Sequence, residues 1–85
     1  MGYVEVHEPI ATLVRFSLLG EVRLLAFVWG GRQLRVRETT YQWSTGKGRE
    51  TYRHFAVTTE SEDAFHLSYR EGSATWWIEQ VWVAE

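Results

Sequence analysis

The side chains with which this 85-residue chain could do chemistry are three histidines, nine basic residues, eleven acidic ones and a large set of aromatic rings. His7 stands beside Glu8, and Glu60, Glu62 and Asp63 cluster further on. An imidazole next to a carboxylate has the parts of a general acid–base pair. Neither group has the spacing or the strand–turn–helix setting of a nucleophile elbow, a phosphate loop or a metalloprotease helix. The acidic cluster reads as a solvated turn. A shallow domain of this size seldom encloses a pocket of roughly 300 Å³ or more, so the expectation is a non-catalytic protein with no catalytic residue and no cofactor.

The chain has no cysteine, which removes disulfides, thiolate zinc sites and cysteine nucleophiles. His54 and His66 fall diagonally on one sheet face, roughly 7–8 Å apart at Cα. A metal needs a third converging ligand, and no residue nearby supplies one. Satisfied or solvent-facing histidines are therefore expected, and no metal.

Net charge is −2, which argues against a generally nucleic-acid-binding surface, but the charge is unevenly placed. From Arg32 to Arg53 the chain carries six basic residues, Arg32, Arg35, Arg37, Lys47, Arg49 and Arg53, against Glu38 and Glu50. Tyr41, Trp43 and Tyr52 are interleaved with them. Arginines draw phosphates while flat rings stack on bases, so this segment is a candidate for weak binding of single-stranded nucleic acid, with Trp43 as the stacking ring. The competing reading makes Arg35 and Arg37 the solvated face of a half-buried hairpin, with the rings in the core.

A second candidate is the C-terminal group Trp76, Trp77 and Trp82. Consecutive residues of a strand point to opposite faces, so Trp76 and Trp77 cannot serve one core. One of them is left for self-association or for docking a partner, unless a second layer or the N-terminal segment covers it.

These residues need strands to position them. The clearest element is a hairpin from Val22 to Thr40 that turns at Gly30-Gly31, a dipeptide suited to the positive φ angles of primed turns. Paired residues then sum to 61. Phe27 faces Leu34, Leu25 faces Val36 and Arg23 faces Glu38 on an apolar face, while Val28, Ala26 and Leu24 face Gln33, Arg35 and Arg37 on the other. A second hairpin joins residues from Thr51 to Thr58 with those from Ala64 to Arg70, pairing Val57 with Phe65 and Phe55 with Leu67. Tyr3 to Glu8 reads as an edge strand stopped by Pro9. The stretch from Ile10 to Leu19 fits either a helical stripe or a strand face, with β-branched content favouring the strand. Tyr41 to Glu50 reads as a loop, and Thr75 to Val83 as the last strand.

The run from Glu8-Pro9-Ile10 through Phe27-Val28-Trp29-Gly30-Gly31-Arg32-Gln33-Leu34-Arg35-Val36 continues with Trp43 and Tyr52-Arg53-His54-Phe55-Ala56-Val57. It closes with Phe65-His66-Leu67 and Trp77-Ile78-Glu79-Gln80-Val81-Trp82. Together these resemble a family of short bacterial β domains of uncharacterised role. They also resemble the C-terminal tail of the inactive Y-family-polymerase-like component of bacterial mutagenic repair cassettes. In the turn, Gly30-Gly31 departs from the family's more usual Arg-Gly. The resemblance implies a small β module near DNA repair or replication that acts through contacts, and it carries over no functional residue.

The sequence thus predicts a single all-β domain over residues 1–85, a small partly open barrel or strongly bent antiparallel meander of about six strands. Its expected partner is a protein or a second copy of itself, with nucleic acid as the alternative and no membrane. The acidic start MGYVEVHEP lacks the basic, apolar pattern of a secretory signal, which together with the missing cysteines leads to a cytoplasmic expectation. The dominance of Arg over Lys and the lack of Asn suit a heat-loving or GC-rich source.

Overall fold

The computed structural model describes residues 2–83. Seven strands follow one another: β1 (Gly2–Ile10), β2 (Thr12–Phe16), β3 (Val22–Trp29), β4 (Arg32–Lys47), β5 (Glu50–Thr59), β6 (Ala64–Arg70) and β7 (Trp76–Val83). They form one antiparallel sheet in the order β1-β7-β6-β5-β4-β3-β2, which curls without closing into a barrel. Its two edge strands are neighbours in sequence, separated only by Ala11. The stretch from Ile10 to Leu19 is accordingly not one element: β1 ends at Ile10, β2 follows, and a turn begins after Phe16. Pro9 lies inside β1, an edge strand, where a missing N–H is tolerated.

Next to their turns both hairpins keep the register expected from sequence. Gly30 and Gly31 have φ of 60° and 75°, the pair of positive values a type I′ turn requires. Trp29 pairs with Arg32, Val28 with Gln33, Phe27 with Leu34 and Ala26 with Arg35. Val57 pairs with Phe65 and Phe55 with Leu67, as the alternation of β5 and β6 requires.

The first hairpin departs from its sequence register beyond Ala26. The β3–β4 ladder ends at the Ala26–Arg35 pair, so Leu25 and Val36, Leu24 and Arg37, and Arg23 and Glu38 do not pair. On the other side of β3, Leu13 pairs with Ala26 but Val14 with Leu24, which leaves Leu25 as a bulge residue. One extra residue inverts the facing of everything before it. Leu24 is therefore buried beside Phe27, and Leu25, expected in the core, is only half-buried.

The expected loop from Tyr41 to Glu50 is instead the second half of β4, which pairs with β5 as far as Lys47 and Glu50 and turns at Gly48-Arg49. Its ordering comes from a long partner and not from local propensity. Shifts between Val36 and Glu38 and between Thr39 and Tyr41 keep Val36 and Thr39 on the core side while β4 bends.

Leu24, Phe27, Leu34, Phe55, Val57, Phe65, Leu67, Trp76 and Ile78 fill the core from five consecutive strands of the sheet. Val6, Ile10 and Val14 close it from the two edge strands. Truncating a fully buried aliphatic chain costs about 2–5 kcal/mol, from lost transfer energy plus the cavity left. The bulge at Leu25 thus gives a sharp expectation: Leu24→Ala lowers stability by about 2–5 kcal/mol in urea titration, and Leu25→Ala costs clearly less. The reverse order would restore the unbroken 61-sum register.

Candidate functional site

Alternation along β4 to β7 sends one set of side chains into the core and the other to the outer face of the sheet. On that outer face Trp43, His54, His66, Ser68 and Trp77 come together, joined by Glu79 and Gln80. The last two are adjacent yet share a face because the β6–β7 register shifts between His66 and Leu67, pairing His66 with Gln80 but Leu67 with Ile78. The matching irregularity in β1 lies between Glu5 and Glu8, where His7 takes a φ of 51°. A β1 bulge against a β7 bulge turns the His7 ring onto Trp77, stacked at 4.7 Å and 12°. Positive φ in a residue with a side chain is a strained conformation held by its surroundings.

A line of hydrogen bonds crosses five strands on this face. Thr45 Oγ1 meets His54 Nε2 at 2.8 Å, His54 Nδ1 meets His66 Nε2 at 2.9 Å, and His66 Nδ1 meets Gln80 Oε1 at 3.0 Å. The Gln80 amide nitrogen donates to Glu5 at 2.9 Å. Because a carboxylate only accepts, Glu5 fixes the direction of the chain. Gln80 Oε1 accepts from His66 Nδ1–H, His66 Nε2 accepts from His54 Nδ1–H, and the Thr45 hydroxyl donates to His54. Trp43 stacks on His54 at 5.1 Å and lies 4.9 Å from His66, and Tyr41 stacks on Trp43 at 5.4 Å. The diagonal placement expected for the two histidines thus becomes direct contact. Among the described residues no group of three or more His, Asp and Glu is arranged to hold a metal.

One added proton fits this chain, since Thr45 Oγ1 can accept as well as donate. A second would set two N–H groups against each other across 2.9 Å. Burial, and then the neighbouring His66, lower the His54 pKa from its usual 6.5, with Glu79 pulling the other way.

Beside the chain, a notch of about 370 Å³ opens between His7, Tyr52, Arg70 and Trp77. Glu79 bridges it, accepting from Ser68 Oγ at 2.6 Å on one oxygen and meeting His7 Nδ1 at 2.6 Å on the other. Burial pushes the Glu79 pKa up, but hydrogen bonds from His7 and Ser68, with the charges of His7 and His66, outweigh it and leave the carboxyl below its usual 4.5. The order hydroxyl–carboxylate–imidazole differs from the hydroxyl–imidazole–carboxylate order that activates a serine. Sequence reasoning placed His7 with Glu8. Its real partner lies 72 positions away, and only the β1–β7 register brings the two together.

A larger cleft, about 910 Å³, lies where β3 and β4 part. Alternate residues of a strand aim their N–H and C=O groups to either side. Beyond Ala26–Arg35, β3 has a partner only in β2, and β4 only in β5, so two open strand edges face each other across the cleft. Arg15, Arg23, Arg37, Phe16, Leu18 and Val22 are among its lining residues. The turn after β2 is tied by Ser17, whose Oγ accepts from the N–H groups of Leu19 and Glu21 at 3.2 and 3.0 Å. Leu18 and Leu19 are nonetheless fully exposed on it.

The seven residues of the nucleic-acid hypothesis are dispersed. Arg32 flanks the first turn, Arg35 lies on the opposite face of β4 from Leu34, Arg37 lines the cleft, and Trp43 stacks on the outer face. Lys47 ends β4 at the far turn and Arg49 lies within that turn. Arg53, opposite in facing to His54, is ion-paired with Glu71 at 2.6 Å. The tryptophans divide as alternation requires. Trp76 is in the core against Tyr69 and Phe55, Trp77 lies under His7, and Trp82 is half-buried with Tyr3 edge-on at 5.0 Å.

Because the folded His54 pKa is depressed, the unfolded chain binds the proton first as pH falls. The contribution of His54 to stability is full above about 6.5, the unfolded value, and is lost as pH drops toward the folded value. Glu79 adds a second loss lower down, as pH falls below 4.5 and through its folded pKa. The thermal midpoint should therefore fall on acidification from pH 7 to 5.5, and His54→Gln should flatten that slope. An unchanged slope in the variant would mean that His54 does not titrate in this way.

Among the described residues no helix is long and apolar enough to cross a membrane. Comparison of the chain with protein-family models, curated proteins and solved structures finds no match.

Proposed function

We propose that this domain is a non-catalytic interaction module that takes an extended segment of a protein partner into the cleft between β3 and β4. The observation that carries the reading is the end of the β3–β4 ladder at Ala26–Arg35, with open edges continuing on both sides of a cleft of about 910 Å³. An extended segment added to such an edge gains main-chain hydrogen bonds from the backbone and selectivity from pockets beside it. The exposed Phe16, Leu18 and Leu19 supply an apolar contact at the mouth, of the kind that marks interaction surfaces. The tryptophans expected to dock a partner support it less well, since Trp76 is in the core and Trp77 is covered by His7.

The resemblance to the tail of a repair-cassette component supports a cytoplasmic role close to DNA repair or replication. Binding of single-stranded nucleic acid is the second reading, favoured by the exposed Tyr41 stacked on Trp43 at 5.4 Å. Its cations are spread over both ends of β4 and on opposite faces, which suits a continuous phosphate track poorly.

Backbone amide exchange tests the first reading. A panel of extended heptapeptides alternating valine with polar residues should slow exchange at residues 37–42 of β4 and 22–25 of β3. Exchange unchanged there, or slowed instead along β1, would overturn it, as would protection that grows with protein concentration in the absence of peptide.

A further inference from the structure

The cleft holds three arginines placed in a way that the sheet itself does not explain. Arg15 and Arg23 are directly opposite each other on β2 and β3, and like charges in that position destabilise a ladder. Arg37 stands where the β4–β5 register shifts between Val36 and Glu38, so it is the bulged residue and lines the same cleft. All three are exposed, and among the described residues none forms an ion pair, whereas Arg53 and Arg70 each bind a glutamate. Glu21 and Glu38 also line the cleft without approaching any arginine to ion-pair distance.

We infer that the cleft reads one acidic side chain on the extended segment it binds, with the Arg15–Arg23 pair and Arg37 as its carboxylate receptor. The inference rests on the docking reading above and adds the chemistry of the partner. A guanidinium presents a planar fork that matches a carboxylate. A carboxylate between Arg15 and Arg23 also removes their mutual repulsion, so part of the binding energy is relief of a cost already present in the free domain. Glu21 and Glu38 limit the same preference: a run of acidic residues would meet them, so a single Glu or Asp flanked by apolar residues fits best. Those flanking residues meet Phe16, Leu18 and Val22.

The test uses four fluorescein-labelled heptapeptides of alternating valine and threonine, whose central residue is Glu, Gln or Lys, or whose three middle residues are all Glu. Anisotropy titrations at low salt should rank the single Glu peptide roughly 5- to 10-fold tighter than Gln, with Lys weakest and the triple Glu peptide no tighter than the single. The advantage of Glu over Gln should shrink at 0.5 M salt and vanish in Arg23→Gln and Arg37→Gln. Arg23→Gln should also keep or raise the thermal midpoint, because it removes a like-charge pair; a lower midpoint would show that Arg23 serves the fold. Equal binding of Glu and Gln peptides would overturn the acidic selectivity while leaving the docking reading intact. Failure of all four to bind would sink the docking reading as well.

Discussion

The organising constraint of this structure is that its sheet must begin and end on consecutive strands. β1 pairs with β7 and β2 with β3, yet only Ala11 separates β1 from β2. Strands far apart in a flat sheet cannot be joined by one residue, so the sheet has to curl until its edges meet at that point. Twist alone rotates neighbouring strands by roughly 20–25°, and the rest of the curvature is taken up by bulges. Register shifts occur in the β1–β7, β2–β3, β4–β5 and β6–β7 ladders. The β5–β6 ladder, at the centre of the core, is unbroken.

The surface features follow from these same bends. Where β7 and β1 bulge together, Glu79 and Gln80 gain the same face, Gln80 completes the hydrogen-bond chain from Thr45 to Glu5, and His7 is turned over Trp77. Where β4 leaves β3 to follow β5, the ladder opens into the cleft. A flatter sheet would have neither. Bulges are common where a side chain must be re-aimed or pairing must stop, and this chain uses them for both.

What the sequence made legible was local. The turn at Gly30-Gly31 and the alternation of β5 and β6 gave the correct pairings around both hairpins, because turn geometry and a period of two act over a few residues. The second half of β4 was not legible: the stretch Ser44-Thr45-Gly46-Lys47 has the composition of a loop, and only a full-length partner in β5 makes it a strand. Leu24 and Leu25 exchanged roles because a bulge is invisible to alternation. For the surface, Arg37 could be named from sequence, but the cleft it shares with Arg15 and Arg23 depends on where the β3–β4 ladder ends. Likewise His7 and Glu79 meet only through β1–β7 pairing.

Open edges invite indiscriminate pairing, and chains blunt them with proline, charge, bulges or shortness. The outer edges here carry such devices. β1 has Pro9 and the strained bulge at His7, and β2 is only five residues long. The edges inside the cleft are treated differently. They are long on β4 and flanked by an apolar turn, but they face each other, so a second sheet cannot approach them as it would a free edge. The bulged Arg37 and the opposed Arg15 and Arg23 add positive charge along the same cleft. The gap between those edges and the charges that line it thus arise from one arrangement, the curl that makes β4 leave β3 and follow β5.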